Sequence, residues 1–467
     1  MNTRLRKPMP WHMMPMIFSL AWPTMLEQLM QTAVQYIDVA MVGSLGTQAT
    51  AAVGATSTVN WLVSSTISAV GIGFLSYISQ ACGAGEYAKA RKASAQSVLS
   101  VLVLGLIFTA LTLGLSGMVP VWMQVDPQIQ QISAMYFFII YSPMLFRTAT
   151  IIFGTVLRSA GDTKTPMYVG FCVNVINIVL NFLLIYPMRC WNLWGLTIWI
   201  PGAGWGILGA GLASAISFAV GGIIISWKLF AHKKISPLGY SIRPDASVLI
   251  PCMKVAIPNC LQRFGTSLGY VVFAAMINSL GDVATAAHTI ANTVESAFYI
   301  PGYGMQTAAA TLAGNAWGAR DQQRIKDLTR MILPIEVGLM TLSGGLLFLF
   351  APDMMGLFSK EEQVILLGTT VLRMVALSEP FYGVSIIIEG MMQGVGKTMI
   401  PFICNIAGMW GIRIVGTYFL TQVFHMGLVS AWGCMIAHNL MLFLIFTLLC
   451  VTGRHMPHET PEIIEKK

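Results

Sequence analysis

Twelve apolar stretches recur along this chain, centred near residues 28, 66, 107, 144, 177, 217, 265, 300, 341, 380, 411 and 440. Each is about 20 residues long, the length of helix that crosses a hydrocarbon core roughly 30 Å thick. In lipid only helices and closed barrels satisfy every backbone group, and barrels need alternating segments of about ten residues. These runs are continuous, so the expected fold is all-α integral membrane, with twelve transmembrane helices. Only 10% of the 467 residues are charged, and 55% are hydrophobic. A soluble chain would carry about a quarter charged residues.

The amino terminus begins with a basic MNTRLRK but shows no small-residue cleavage site, which reads as an uncleaved first span. Eight cysteines include no CxxC pair, and only Cys190 falls in an outward loop, so no disulfide framework is expected. Twelve spans put both termini on one side. That side collects Arg4, Arg6, Lys7, Lys89, Arg91, Lys92, Arg158, Lys164, Lys228, Lys233, Lys234, Arg243, Arg320, Arg324, Lys326, Arg330, Lys397, Arg454, Lys466 and Lys467. The opposite side has Arg189 and Lys360. The asymmetry marks the basic side as cytoplasmic and explains the net charge of +8 without nucleic acid.

The chain repeats itself at an offset of 235 residues. Pro23 matches Pro258, Leu45-Gly46 matches Leu280-Gly281, and Ala49-Thr50-Ala51-Ala52 matches Ala284-Thr285-Ala286-Ala287. Gly83 matches Gly318, Gly161 matches Gly396, and Pro166 matches Pro401. An insertion in an outward loop rich in Trp and Gly, 191–206, then shortens the offset to 216, at which Gly211-Leu212 matches Gly427-Leu428. Six spans per copy return the chain to its starting side, so the copies are parallel repeats about an axis along the membrane normal. The expected division is an N-lobe over 1–230, a cytoplasmic linker over 231–248 and a C-lobe over 249–467. Two such bundles rocking against each other give alternating access.

Six acids fall inside the spans: Glu27, Asp38, Glu295, Glu336, Glu379 and Glu389. A charge at mid-bilayer costs at least about 2.5 kcal/mol, so each needs an interior, a partner or a proton. Glu27, Gln31, Gln35 and Asp38 share one stripe of the first helix, which points them at a cavity. Asn174, Asn177 and Asn181 share one face of the fifth span and supply oxygens with which Asp38 would take a proton or hold a sodium ion. The competing reading of these amides is interhelical hydrogen bonding. At the repeat positions of Glu27 and Asp38 the second copy has Gln262 and Phe273. Its candidates for cleft or substrate contact are Glu295, Tyr299 and the Pro301-Gly302 break, with Glu379 and Tyr382. Arg147, Arg263 and Arg413 would neutralise such acids in a purely structural account. His288 and His438 lack partners at ligand spacing, so no metal beyond the sodium ion is expected. Gly396-Lys397-Thr398 mimics the end of a phosphate-binding loop but has no preceding strand. No nucleophile and base arrangement suggests an enzyme.

These segments together resemble the multidrug and toxic compound extrusion (MATE) family: YIDVAMVGSLG (36–46), the TAAVG and TAAHTIAN openings of spans two and eight, VESAFYIPGYG (294–304), and LRSAGDTKTP (157–166) echoed by MQGVGKTMIP (392–401). The resemblance implies V-shaped six-helix lobes. It implies a monomeric antiporter of the cell membrane that exports small organic, often cationic, drug-like compounds against protons or sodium ions, without a cofactor, and so contributes to antibiotic resistance. It places the amino-terminal cation site on Asp38, Asn177 and Asn181, with Asn174 beside them. The helix-seven and helix-ten acids of the NorM-like branch fall on Thr266 and Tyr382, a departure that favours the DinF-like branch. A flippase for a lipid-linked precursor is the alternative. It would want a cleft dominated by Lys and Arg, whereas six acids face five bases within these spans.

Overall fold

The computed structural model describes residues 11–123, 125–193 and 196–456. The chain runs through α1 (Met14–Gly43), α2 (Thr47–Gly83), α3 (Tyr87–Leu115), a single turn α4 (Val119–Trp122), α5 (Pro127–Tyr141), α6 (Met144–Ser159) and α7 (Lys164–Leu184). The strands β1 (Pro187–Leu193) and β2 (Leu196–Ala203) follow. Next come α8 (Gly206–Phe230), α9 (Ala246–Asn278), α10 (Asp282–Phe298), α11 (Ile300–Gly318), α12 (Gln322–Phe358), α13 (Glu362–Ala376) and α14 (Glu379–Gly394). A helix over Met399–Val423 and another over Leu428–Val451 complete the described chain.

Among the described residues, twelve helical passages result when α5–α6, α10–α11 and α13–α14 each count as one. Eight helices among the described residues are long and apolar enough to cross a membrane, and the bent pairs α5–α6 (47°) and α13–α14 (53°) also pass together. The other two passages, α1 and α10–α11, carry Glu27, Gln31, Gln35 and Asp38, and Asp282, Asn292 and Glu295. Polarity where lipid would demand apolar side chains already singles them out.

The repeat is visible in the backbone. Left-handed residues recur at the same offset of 235: Gly46 with Gly281, Gly85 with Arg320, and Gly161 with Gly396. Arg320 holds φ +56° where its repeat partner is glycine, so the turn geometry outweighs the cost of a side chain there. The bends coincide too, since Ser142-Pro143 and Leu377-Ser378 are also 235 apart. The copies differ at Tyr299. There α10 gives way to α11, whereas α2 runs unbroken through the equivalent Ser64. Pro301 and Gly302 supply the break, and Ser343 Oγ donates to the freed carbonyl of Phe298.

The segment expected as an outward loop over 191–206 is a two-stranded antiparallel hairpin over its first part. Cys190 stands opposite Trp199, and Leu193 opposite Leu196. Thr197, Ile198, Trp199 and Ile200 prefer extended backbone, and pairing satisfies polar groups that a bare loop would leave to water.

Two compact units emerge. One comprises Leu26–Phe74 and Tyr87–Leu249; the other joins the chain up to Met25, Leu75–Glu86 and Ile250 onward. The start of α1 thus belongs with the second repeat: Met13, Ile17, Leu20 and Ala21 share a core with Met305, Ala309, Leu312 and Leu328. Thr24 Oγ1 donates to the Gly304 carbonyl at 2.8 Å. In the same unit a Cβ at Gly318 would strike the backbone of Gln80, so this close approach requires glycine. The linker after Phe230 is clamped within the first unit. Arg91 donates to the carbonyls of Lys233 (2.7 Å) and Lys234 (3.2 Å), Gln96 to that of Arg243 (2.8 Å), and Lys92 pairs with Asp245.

Candidate functional site

The face of α7 decides the first site. Tyr168, Phe171, Val175 and Val179 are exposed, a stripe suited to lipid. Asn174, Asn177 and Asn181 are buried on the other side. Gly209 and Gly221 let α8 close on α7, since a Cβ on either would strike Leu184 or Val173. That approach carries Ser214 to 3.1 Å from the Asn177 amide.

Half-buried Asp38, on α1, meets this face. Asn181 Nδ2 donates to its Oδ1 at 2.7 Å. Asn177 Nδ2 donates to Asp38 at 2.8 and 3.3 Å while its Oδ1 accepts from Ser214 Oγ at 3.1 Å, so two amides point donors at the carboxylate. Asn174 lies one turn away with its Nδ2 buried and unpaired.

The rest of the α1 stripe divides. Gln31 and Gln35 are exposed. Glu27 is buried, and Arg158 Nη2 donates to both its oxygens at 2.6 and 2.7 Å. Arg158, counted from the sequence among cytoplasmic bases, therefore turns inward. Glu27 is thus held by an ion pair with Arg158.

In the second repeat the positions equivalent to Asp38 and Asn174 hold Phe273 and Met409, which pack in one apolar core with Trp432. His288 is wedged there between Phe273 and Trp432, with ring centroids 5.6 and 5.9 Å away. Polar chemistry gathers elsewhere in this unit. Tyr299 packs edge-on against Tyr303 (5.5 Å) and Tyr382 (6.3 Å), and the hydroxyls of Tyr303 and Tyr382 are 3.0 Å apart. Glu295 and Glu379 are both buried within electrostatic reach of each other and of Tyr299. Arg413, also in reach of Glu295, lies over the rings of Phe273 (4.6 Å) and Tyr270 (4.8 Å). Four of the expected candidates, Glu295, Tyr299, Glu379 and Tyr382, are thus brought together.

A second cluster surrounds Glu389, whose oxygens accept from Gln262 (2.9 Å), Gln393 (3.1 Å) and Asn405 (3.3 Å). Gln262 and Gln393 are the repeat partners of Glu27 and Arg158. One repeat therefore places an ion pair where the other places an acid ringed by amides. Glu336 is fully buried with both oxygens unpaired, beside Gly302 and Gly383. Lys397, of the loop-like decoy, donates to the carbonyls of Arg454 (2.5 Å) and Met456 (3.3 Å) and so ties down the chain after the last helix.

The MatE family model matches residues 23–183 and again 258–419, the two matches beginning 235 residues apart at Pro23 and Pro258. The chain belongs to the MatE family. Members of this family are secondary transporters, not enzymes. Among MatE relatives, a probable multidrug resistance protein NorM from Thermotoga maritima is 26% identical over 438 residues, covering 94% of this chain and 92% of its own. The probable multidrug resistance protein YoeA of Bacillus subtilis is 24% identical over 452 residues, with 94% and 93% covered. Two solved structures share the fold over 94% of this chain and 95% of theirs. One is an outward-facing multidrug resistance MATE transporter of the MOP superfamily (21% identity, TM-score 0.85). The other is a MOP superfamily transporter from Pyrococcus furiosus whose reversed pocket polarity suggests a different function (20% identity, TM-score 0.84).

Within the MatE fold, Ser214 and Arg158 are the participants that sequence reasoning missed. A serine in an apolar, glycine-rich helix carries no periodic signal. The long side chain of Arg158 reaches back from a helix end.

Proposed function

We propose that this MatE member is an antiporter of the cell membrane, with both termini cytoplasmic, that exports small organic compounds in exchange for a proton or a sodium ion bound at Asp38. The cluster of Asp38, Asn177, Asn181 and Ser214 carries this reading, because it sets a carboxylate inside a span among amide and hydroxyl groups that can stabilise its charge or share a cation with it. Asn174 supplies a further amide beside it. On this account the ion enters at Asp38, and the repacking of α1 accompanies release of the substrate. The carrier works as a monomer and needs no cofactor.

The tyrosines at 299, 303 and 382, with Glu295 and Glu379, suit an organic cation, since aromatic faces and carboxylates both attract one. Placement of the coupling acid in the first repeat, with Phe273 and Met409 at the equivalent positions of the second, supports kinship with the DinF-like branch. Everted membrane vesicles test the proposal: an imposed pH or sodium gradient should drive uptake of a fluorescent organic cation, and Asp38→Asn should abolish it while the protein stays folded. Gradient-driven uptake that survives this substitution would remove Asp38 from the mechanism.

A further inference from the structure

One polar feature plays no part in the transport reading. Where α8 ends and the turn before α7 passes, the first unit has a cleft of about 560 Å³, within the range of small-ligand sites. Its walls include Lys228, His232, Lys233 and Lys234, with Asp162 as the acid. Among the described residues no carboxylate makes an ion pair with these three lysines. Asp162 is already engaged, accepting from the Thr165 backbone amide at 3.0 Å. The amides of Lys234 and Ile235 lie 3.3 and 3.4 Å from His232 Nδ1, which accepts from them and leaves Nε2 as the donor.

The cationic wall is preformed. Arg91 grips the carbonyls of Lys233 and Lys234, and Ser236 Oγ donates to the Phe230 carbonyl at 2.6 Å. A ligand therefore meets a backbone already ordered, which removes part of the entropic cost of binding. The chemistry selects an anion with several acceptor oxygens, such as a phosphate ester.

Surrounding residues choose the source. Trp227 is 64% exposed, with Lys228 Nζ 4.8 Å from its ring centroid. Leu238 and Ile242, in the adjoining linker, are also exposed. Exposed tryptophan and aliphatic residues beside lysines at a helix end mark the level of lipid headgroups, and basic pockets there bind anionic ones. We infer that the cleft lined by Lys228, His232, Lys233 and Lys234 is a binding site for the headgroup of an anionic phospholipid.

Purified full-length protein, stripped of lipid in detergent and titrated with short-chain phosphatidylglycerol, phosphatidylcholine or glycerol phosphate, tests this, with retained molecules counted by native mass spectrometry. Phosphatidylglycerol should bind in preference to phosphatidylcholine. Lys228→Ala, Lys233→Ala and Lys234→Ala combined should weaken it roughly 100-fold, about fivefold for each charge removed. Asp162→Asn leaves every lysine in place and should tighten binding, which keeps the test decisive if the triple variant folds poorly. Equal retention of both lipids, unchanged binding in a folded triple variant, weaker binding in Asp162→Asn, or glycerol phosphate binding as tightly as phosphatidylglycerol would each overturn the inference.

Discussion

Arg158→Met probes the interior most sharply. The Arg158 side chain is 18% exposed and that of Glu27 9%, and both carboxylate oxygens accept from one guanidinium nitrogen. Removing the cation strands a carboxylate among α1, α6 and α7, where a Cβ at Gly170 would lie only 3.8 Å from its Oε1. Breaking such a pair costs about 3–5 kcal/mol, most of it the penalty of an uncompensated buried charge. Glu27→Gln should cost less, because the longer, partly exposed arginine can redirect its charge toward water. The double variant Glu27→Gln with Arg158→Met removes both charges, and should lie within about 2 kcal/mol of the parent, since an uncharged pair incurs no such penalty. Equilibrium unfolding in mixed detergent micelles reads the cycle. A coupling of about 3 kcal/mol is expected, at the upper end for contacting residues. Additive losses, or an Arg158→Met variant within 1 kcal/mol of the parent, a value about a third of the smallest loss expected for a buried pair, would refute the reasoning. The double variant should also retain efflux, because Glu27 is committed to the pair and leaves substrate to other groups.

Ser343→Ala should destabilise the protein by about 1–3 kcal/mol in the same assay, because the Phe298 carbonyl freed at the α10–α11 break loses its donor. The linker clamp should be insensitive to pH across the physiological range. Hydrogen bonds from Lys92 and Ser247 hold the Asp245 carboxyl down at about 2, so its contribution is complete above the ordinary aspartate range and fades only as pH falls toward 2. Limited proteolysis of the linker should therefore proceed equally at pH 5 and pH 8, and Asp245→Asn should speed it modestly, as expected of an exposed pair worth under about 1 kcal/mol.

Much of this architecture was legible because lipid leaves few options. Apolar length gave the passages, the constant offset gave the repeat, helical spacing put Asn174, Asn177 and Asn181 on one face, and the family resemblance joined Asp38 to Asn177 and Asn181. Partners separated by more than a hundred residues left no such trace. Arg147, Arg263 and Arg413 were the expected counterions, yet Arg147 donates to Ser64 and lies over Phe218, and Arg413 lies over aromatic rings. Arg263 donates to Asn259, with Glu389 only in electrostatic reach. Among the described residues, the arginine that does pair closely with a span acid is Arg158, which hydropathy assigns to a loop. Residues 191–206 read as a loop because the segment is rich in tryptophan and glycine, and its short alternation is lost beside spans three times as long.

The central claim is that substrate and coupling ion exclude one another through Asp38. Weakly buffered, detergent-purified protein containing a pH indicator, or a sodium electrode, measures it directly when an organic cation is added. The account predicts release of about one proton or one sodium ion per substrate bound, as expected when one ion site is negatively coupled to the substrate site, and no release from Asp38→Asn. Substrate binding with no ion released from the parent protein, or equal release from Asp38→Asn, would contradict it.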